Sequence, residues 1–401
     1  MEPFKFLVSQ EKAEEIILET CDPIERTERV AISESSERVL AEEILANRSV
    51  PPFDRSAMDG YAVIAEDTFG ADEKEILLHL DGVIHAGEVS DIEVTHGHCI
   101  QIATGSPLPK GADSVVMVEY TERHGDEILI TRPVYPGANV SRKGEDIVEG
   151  DVVLSIGSLL TPAKVGTLAA LGLVEVEVYA RPSIIVIPTG KEIVPLGVDL
   201  NPGQIYDINS YTLESILRSN GANVRRHEIV GDDYTSLKQV IEDCLDYDMV
   251  VLSGGSSVGE KDLLAGVLND VGEILFHGVQ IKPGKPTLFG IANGTPIFGM
   301  PGYPTSCLSN AYIFLIPAVR KIARLGSTRS RTVTAKIGKR IVSSSGRRQF
   351  LTVRIDKDIA HPVYKHSGAI TSMAVADGYI ILPVNLDVIE EGEAVQVTLF
   401  E

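Results

Sequence analysis

Asp248-Met249-Val250-Val251-Leu252-Ser253-Gly254-Gly255-Ser256-Ser257-Val258-Gly259-Glu260-Lys261-Asp262 is the stretch on which the fold turns. Met249 to Leu252 is a short apolar run, partly β-branched and without alternation, the pattern of a parallel strand covered on both faces. A glycine-rich turn stops it, and Glu260-Lys261-Asp262 opens a helix predicted to run to about Asn269. Such a turn leaves backbone N–H groups free at a helix N-terminus, where anionic groups settle. Gly254 to Gly259 has the glycine spacing of a phosphate-binding P-loop, yet Glu260 stands where that motif needs lysine and Lys261 where it needs a hydroxyl. The following carboxylate, Asp262, suits a hydrated Mg²⁺ that itself meets an oxyanion better than it suits the anion directly.

Downstream, Ile281-Lys282-Pro283-Gly284-Lys285-Pro286 puts two ammonium groups on a proline-stiffened loop. Pro296 to Pro304 reads as another strand ending in a proline and glycine turn, followed by an apolar helix from Thr305 to Ile322. Upstream, strands at Ser183 to Ile187 and Val224 to Ile229 alternate with helices at Tyr211 to Ser219 and Ser236 to Leu245. That β, α, β, α order predicts a parallel sheet with helices on both faces. Ligands of such sheets bind at the carboxyl ends of the strands.

The rest of the chain reads differently. Apolar spacing in Gln10 to Thr20 predicts a helix, and Pro162 to Leu171 another with proline at its first position. Between them, Pro51 to Val63 is an irregular loop carrying Asp54, Arg55 and Asp59, and it runs straight into a strand. Leu77 to Leu80, His98 to Ala103, Ser114 to Glu119 and Glu127 to Thr131 read as strands of a small β domain. Inside it, Ala103 to Pro109 is a tight turn with an exposed hydroxyl at Thr104. Beyond Arg331, strands at Thr332 to Ile337, Phe350 to Ile355, Tyr379 to Leu382 and Ala394 to Leu399 predict a small barrel or sandwich.

Composition bounds the function. The 401 residues are too many for one ordinary core. A net charge of −21 argues against a nucleic-acid or anionic-membrane surface. Anion binding by so acidic a chain requires local cations, and Lys282 and Lys285 are the obvious pair. Four scattered cysteines fit a reducing cytoplasm better than a disulfide framework or a zinc site. No signal-peptide pattern opens the sequence, and no apolar run approaches a membrane span.

Glu192, Asp232 and Asp262 each follow a predicted strand of the α/β region by a few residues. On neighbouring strands they would line one rim, as a hard-cation or water-polarising site; Glu192 and Asp232 read equally well as caps of turns. Asp54, Arg55 and Asp59 read either as a functional loop or as a salt-bridged turn. His96 and His98 share a strand face without a third ligand, which favours a surface strand over zinc. No Ser/His/Asp arrangement with an elbow glycine pattern appears, so nucleophilic catalysis is disfavoured.

Four motifs carry a resemblance. Pro52-Phe53-Asp54-Arg55-Ser56-Ala57-Met58-Asp59-Gly60-Tyr61-Ala62-Val63, Gly203-Gln204-Ile205-Tyr206-Asp207-Ile208-Asn209, Ser253 to Asp262, and Lys282-Pro283-Gly284-Lys285-Pro286 closely resemble the molybdopterin molybdenumtransferase family, the MoeA proteins and the gephyrin E domain. The resemblance covers essentially the whole chain. It implies a multidomain α/β plus β fold. Its parts would be a three-layer αβα MoaB/Mog-like domain with a parallel-rich sheet over 179–326, a small inserted β domain over 49–140, an N-terminal helical linking domain over 1–48 and 141–178, and a C-terminal β-barrel over 327–401.

The implied activity is insertion of molybdate or tungstate into adenylylated molybdopterin, with Mg²⁺-dependent cleavage of the adenylate and release of AMP. The alternatives are molybdopterin adenylyltransferase, which uses a similar αβα domain, and a non-catalytic scaffold like gephyrin. By motif position, the resemblance gives catalytic roles to Asp59, Thr104, Asp146, Glu192, Asp232 and Asp262. It gives substrate contacts to Gly254, Gly255, Ser256, Ser257, Lys282, Lys285, Pro301, Pro304 and Ser367, and Mg²⁺ contacts to Asp59, Asp232 and Asp262. It further implies a cytoplasmic homodimer in which Asp59, Thr104 and Asp146 face the αβα domain of the other subunit, with the adenylyltransferase of the same pathway as a candidate partner. Tyr303, Lys191 and His277 depart from residues common in the family at their positions.

Overall fold

The structure, a computed structural model, describes residues 7–254, 263–327, 331–343, 346–363 and 368–400. The chain divides into two compact units. One comprises the residues up to 28, then 37–39 and those from 178 onward; the other comprises 29–36 and 40–177.

The first unit is built on a six-stranded sheet. Its strands are β1 (Ser183–Pro188), β2 (Asn223–Arg226), β3 (Met249–Ser253), β4 (Glu273–His277), β5 (Leu288–Ala292) and β6 (Thr295–Met300). Their order is β2-β1-β3-β6-β5-β4. The first four pair in parallel, and at one edge β5 pairs antiparallel with both β6 and β4. That edge follows from chemistry: Asn293-Gly294, both at positive φ, make a tight turn that returns β5 into β6.

Consecutive residues of the central strands serve two separate cores. Ile184, Val186, Met249, Val251 and Phe298 belong to one, and Ile185, Ile187, Val250, Leu252 and Ile297 to the other. Every residue from Met249 to Leu252 is fully buried, as the unalternating run predicts. Helix α1 (Asn209–Ser219) covers the first face with Leu213, Ile216 and Leu217. Helices α2 (Tyr234–Asp243) and α3 (Leu263–Val271) cover the second through Leu237, Ile241, Leu264, Val267 and Leu268. Asp233 starts α2 by accepting from Ser236 N at 2.8 Å. The N-terminal helix Gln10–Thr20 packs Ala13 and Ile17 into the first core, so it extends the αβα layers.

The single helix predicted over Thr305 to Ile322 is interrupted. Helix α4 (Pro304–Asn310) widens into a π turn at Ala311–Leu315 before α5 (Ile316–Ile322) resumes. Pro317 explains the break: it has no N–H to donate, and its ring would strike the carbonyl of Ile313 in a regular helix.

Asp248 ties the strand starts to the N-terminal segment. Its carboxylate accepts from both Nη atoms of Arg26 at 2.7 Å, and from Ser183 N at 2.7 Å and Oγ at 2.8 Å. Burial alone would raise its pKa, but the Arg26 guanidinium and the Ser183 donors outweigh it and hold the carboxyl below its ordinary value. Because the folded pKa is depressed, this stabilisation is complete above the ordinary carboxylate range and is lost as pH falls through the folded value. Asp248→Asn is therefore expected to lose about 1–2 kcal/mol at neutral pH and to show a shallower acid limb in thermal melts. Identical acid limbs in mutant and wild type would refute the assignment.

The last strands form a closed barrel. Arg348–Asp356 pairs with both Ile359–Pro362 and Gly378–Leu382, and Thr332–Ile337 and Ala394–Leu399 complete the ring. Leu351, Val353, Ile380, Leu382 and Val397 fill it. Closure removes the sheet edges that a sandwich would leave open.

The second unit contains a six-stranded sheet in the spatial order Ser114–Met117, Gly60–Val63, His98–Ile102, Ile76–Ile84, Glu127–Ile130 and Thr121–His124. Tyr61, Val63 and Cys99 face one core; Ala62, Ile100 and Ile102 face the other. Thr121–His124 escapes a periodicity reading because Thr-Glu-Arg-His offers no apolar face. Two short pairings, Arg55–Ser56 with Val140–Ser141 and Ile44–Leu45 with Val152–Leu154, and helix Pro162–Ala170 accompany it.

Candidate active site

In the first unit, three parallel strands end side by side and their exits touch through backbone. Thr189 N, just past β1, donates to Ser253 O at 3.0 Å, and Gly254 N, just past β3, donates to Met300 O at 3.2 Å. Gly254 sits at φ +99, and a Cβ there would overlap the carbonyl oxygen of Thr189. Gly302, past β6, lies beside it, where a Cβ would make an ordinary contact 3.7 Å from Gly254 Cα. At Gly254 only glycine permits so tight an approach to Thr189 at that backbone angle.

The start of α1 closes this edge. Asn209 Nδ2 donates to Gly302 O at 2.8 Å, and the Asp207 carboxylate accepts from Ser210 N at 3.0 Å and from the Ser210 hydroxyl. Asn209 Oδ1 and Ser253 Oγ are buried without a hydrogen-bond partner among the described residues. Buried polar atoms are rarely left so, and both sit where a ligand of this fold binds. Periodicity has no signal for Asn209; its place in the Gly203 to Asn209 motif is the only clue.

The lysine loop is held from below. Ile281–Lys282 pairs in parallel with Arg348–Gln349 of the barrel, and Val279 N donates to Lys285 O at 2.9 Å. Gly284 O accepts from Asn310 Nδ2 at 2.8 Å and from Thr287 Oγ1 at 2.9 Å. Gly284 lies at φ +102, where a Cβ would come 2.6 Å from Asn310 Oδ1. Lys282 and Lys285 are half-buried. Besides its prolines, the loop is held by fully buried Asn310, which reads in sequence only as an odd polar residue in an apolar helix.

Pro301 is buried, and Pro304 is the first residue of α4. Tyr303 is 66% exposed, and a Cβ on Gly368 would lie 3.7 Å from its ring. Thr305 Oγ1 donates to Ala369 O at 3.1 Å, so the segment after 367 rests on the start of α4. Lys191 is exposed, and His277 is buried at the end of β4. Gly255, Ser256, Ser257, Asp262 and Ser367 lie outside the described residues.

Strands β2, β1 and β3 are neighbours, as the acidic rim requires. Glu192 and Asp232, beyond β1 and β2, are exposed. Among the described residues no three acidic, histidine or cysteine side chains come close enough to hold a metal by themselves. A Mg²⁺ bound mainly by substrate phosphate needs only one or two carboxylates, so Asp232 with an oxygen-rich ligand still fits it.

In the second unit, Asp59 and Thr104 are brought together. Asp59 Oδ1 accepts from Thr104 N at 2.7 Å and from its hydroxyl at 2.9 Å. The Thr104 N–H first, and then its hydroxyl, hold the Asp59 carboxyl below its ordinary pKa. It is therefore an ionised, exposed carboxylate at neutral pH. Asp54, by contrast, is the structural member of the loop: it pairs with Arg142 Nη1 at 2.7 Å and accepts from Lys143 N at 2.8 Å. Asp146 is exposed on the same segment, its N–H donating to Val50 O at 3.1 Å. His96 and His98 bind different carboxylates, Asp67 at 2.7 Å and Asp81 at 2.9 Å. Burial pushes the Cys21 and Cys99 thiols up to about 12, which leaves them unreactive.

Comparison with known proteins fits this geometry. Residues 8–172 match the profile of the MoeA N-terminal region (domain I and II), 185–321 a probable molybdopterin binding domain, and 334–400 the MoeA C-terminal region (domain IV). The chain belongs to the MoeA family. It is 36% identical to a putative molybdopterin biosynthesis protein of Methanocaldococcus jannaschii, over 100% of both chains. It is 33% identical to molybdopterin molybdenumtransferase 2 of Mycobacterium tuberculosis, over 95% of this chain and 96% of that one. The crystal structure of a MoeA protein from Pyrococcus horikoshii superposes with a TM-score of 0.83 at 41% identity, over 98% of this chain and 99% of that one. The family is that of the molybdopterin molybdenumtransferases, transferases of molybdenum cofactor biosynthesis, and its fold combines the MoaB/Mog-like domain with a closed C-terminal barrel. No helix among the described residues is long and apolar enough to cross a membrane.

Proposed function

We propose that this MoeA protein inserts molybdate or tungstate into adenylylated molybdopterin, cleaving the phosphoanhydride and releasing AMP. The observation that carries the reading is the glycine-lined edge at Gly254 and Gly302, together with a lysine loop clamped by Asn310. Both substrates are anionic. Backbone N–H groups and the ammonium groups of Lys282 and Lys285 offset their charge, and the acidic remainder of the surface keeps other anions away.

Asn209 and Ser253 supply unpartnered polar atoms for the pterin adenylate, while Pro301 and Pro304 shape the wall beside Tyr303. Gly255, Ser256, Ser257 and Ser367 are proposed to complete the substrate contacts. Asp59, Asp232 and Asp262 are the residues proposed to hold Mg²⁺, which when bound neutralises charge on the anhydride. Thr104 keeps Asp59 ionised and oriented; Asp146 and Glu192 are assigned to positioning. The reading takes the enzyme as a cytoplasmic homodimer whose sites combine the Asp59 face of one subunit with the αβα domain of the other, with the pathway's adenylyltransferase as the source of substrate. It also adopts the four-domain division given above.

Release of AMP on adding each oxyanion to purified protein and adenylylated pterin tests the reaction. Release dependent on oxyanion and Mg²⁺ is expected; consumption of ATP with unmodified molybdopterin instead would assign the adenylyltransferase activity. Lys282→Ala is expected to weaken pterin adenylate binding about tenfold, with the difference shrinking as salt rises. An affinity unchanged at low salt would remove Lys282 from the site.

A further inference from the structure

Among the described residues of the first unit, Tyr303 is the most exposed tyrosine or phenylalanine, at 66%; Tyr211 and Tyr206 follow at 38% and 37%. Its place in the chain makes that exposure unusual. Tyr303 stands between Gly302, which lies beside the Gly254 turn, and Pro304, the first residue of α4. Its carbonyl accepts the opening bond of that helix, from Cys307 N at 2.9 Å, so Tyr303 holds the capping position. Short polar side chains are favoured there because they accept from the first free N–H groups. The phenol makes no such bond and points its ring into the open instead.

The neighbours of this ring are those of the anion edge. Asn209 Nδ2 donates to Gly302 O at 2.8 Å, which brings the first turn of α1 against the residue before Tyr303. The residue before Asn209 is Ile208, itself exposed. On the other side Thr305 Oγ1 donates to Ala369 O at 3.1 Å, and a Cβ at Gly368 would stand 3.7 Å from Tyr303 Cδ1. Aromatic and apolar surface therefore adjoins a glycine edge suited to anions. The face of a phenol carries partial negative charge, so it is a poor neighbour for a phosphate or an oxyanion and a good one for another flat ring.

We propose that Tyr303 is the stacking platform for a bicyclic heterocycle of the pterin adenylate, which makes it a specificity-determining residue for the organic substrate and not for the oxyanion. The inference rests on the function proposed above. That substrate has a charged middle and two flat ends, a pterin and an adenine. Glycine N–H groups and lysines offset the charge but make no use of the ring faces, and the exposed phenol supplies a surface that does. Stacking on an exposed aromatic side chain strengthens binding about tenfold or more and tolerates different heterocycles, because each has a π face.

Binding of pterin adenylate to the full-length protein, measured without oxyanion, tests the contact. Tyr303→Leu keeps bulk and loses the ring, and is expected to weaken binding about tenfold. Tyr303→Phe keeps the ring and loses the hydroxyl, and is expected to stay within about twofold of wild type. In turnover the loss in Tyr303→Leu should fall on KM for pterin adenylate and leave KM for molybdate unmoved, because the oxyanion has no ring to stack. AMP and molybdopterin, titrated separately, tell which heterocycle lies on the phenol: the stacked half is the one whose affinity falls in Tyr303→Leu. The side chain is exposed, so both variants should melt as wild type does. Equal affinity in Tyr303→Leu and wild type, an equal loss in Tyr303→Phe, or unchanged affinity for both halves would each overturn the stacking while the proposed reaction stands. Wild-type protein that binds no pterin adenylate would overturn both.

Discussion

Asp59→Ala is expected to lower oxyanion insertion about 10²-fold or more while leaving the melting temperature unchanged, because the proposed reading makes it an ionised oxygen ligand of a charged reaction and nothing buried is lost. The side chain is exposed, and among the described residues its hydrogen bonds come from Thr104. Thr104→Ala would keep the backbone donor and lose the hydroxyl, so a smaller drop is expected. The lowered pKa also fixes the pH behaviour. Asp59 stays ionised below the ordinary carboxylate range, so protonation does not limit the reaction at mildly acidic pH, and Thr104→Ala should move the acid limb of activity upward. The proposed dimeric arrangement has its own readout. After subunit exchange, and assayed at pterin adenylate well below saturation so that both parents are nearly inactive, a mixture of Asp59→Ala and Lys282→Ala proteins should recover about a quarter of wild-type activity, since random pairing gives half heterodimers with one intact site each. No recovery would mean that Asp59 and Lys282 serve the same chain's site, or that Asp59 serves none.

Gly254→Ala carries the second large effect. The new methyl group would overlap the Thr189 carbonyl oxygen at a backbone angle of φ +99, which alanine itself resists. Strain and overlap together are expected to cost about 3 kcal/mol, read as a lower unfolding midpoint, and to abolish pterin adenylate binding by separating the β1 and β3 exits. Gly125→Ala is the matched control. That glycine also has positive φ, at +69, but open space around it, so a loss of only about 1 kcal/mol is expected. Equal losses in the two variants would show that backbone angle, and not the close approach at Gly254, governs the position.

Much of the fold was legible because hydrophobic periodicity reports local structure. Met249 to Leu252 reads as a strand covered on both faces because a parallel strand between two helical layers needs apolar residues at every position. The helices at Gln10 and Tyr234 follow from apolar spacing, and Asp233 caps the second. Where local pattern and tertiary chemistry diverge, the reading stops short. Thr121–His124 is a strand with no apolar face, held by its pairing with Glu127–Ile130. The helix after Pro304 reads as continuous, but Pro317 opens a π turn in its middle.

The site divides the same way. Residue types and motif order single out Lys282, Lys285, Gly254, Asp59 and Thr104, because anion chemistry needs ammonium groups, glycine turns and ionised carboxylates wherever it occurs. Spacing along the chain cannot say that Thr104 holds Asp59 or that Asn310 clamps Gly284, for those partners are 45 and 26 residues apart. Sequence alone determined which chemical groups this protein carries and which strands and helices bear them, since both depend on side-chain type and short-range periodicity. Only the tertiary structure decided which of those groups meet, because contact between distant segments is fixed by how the layers pack.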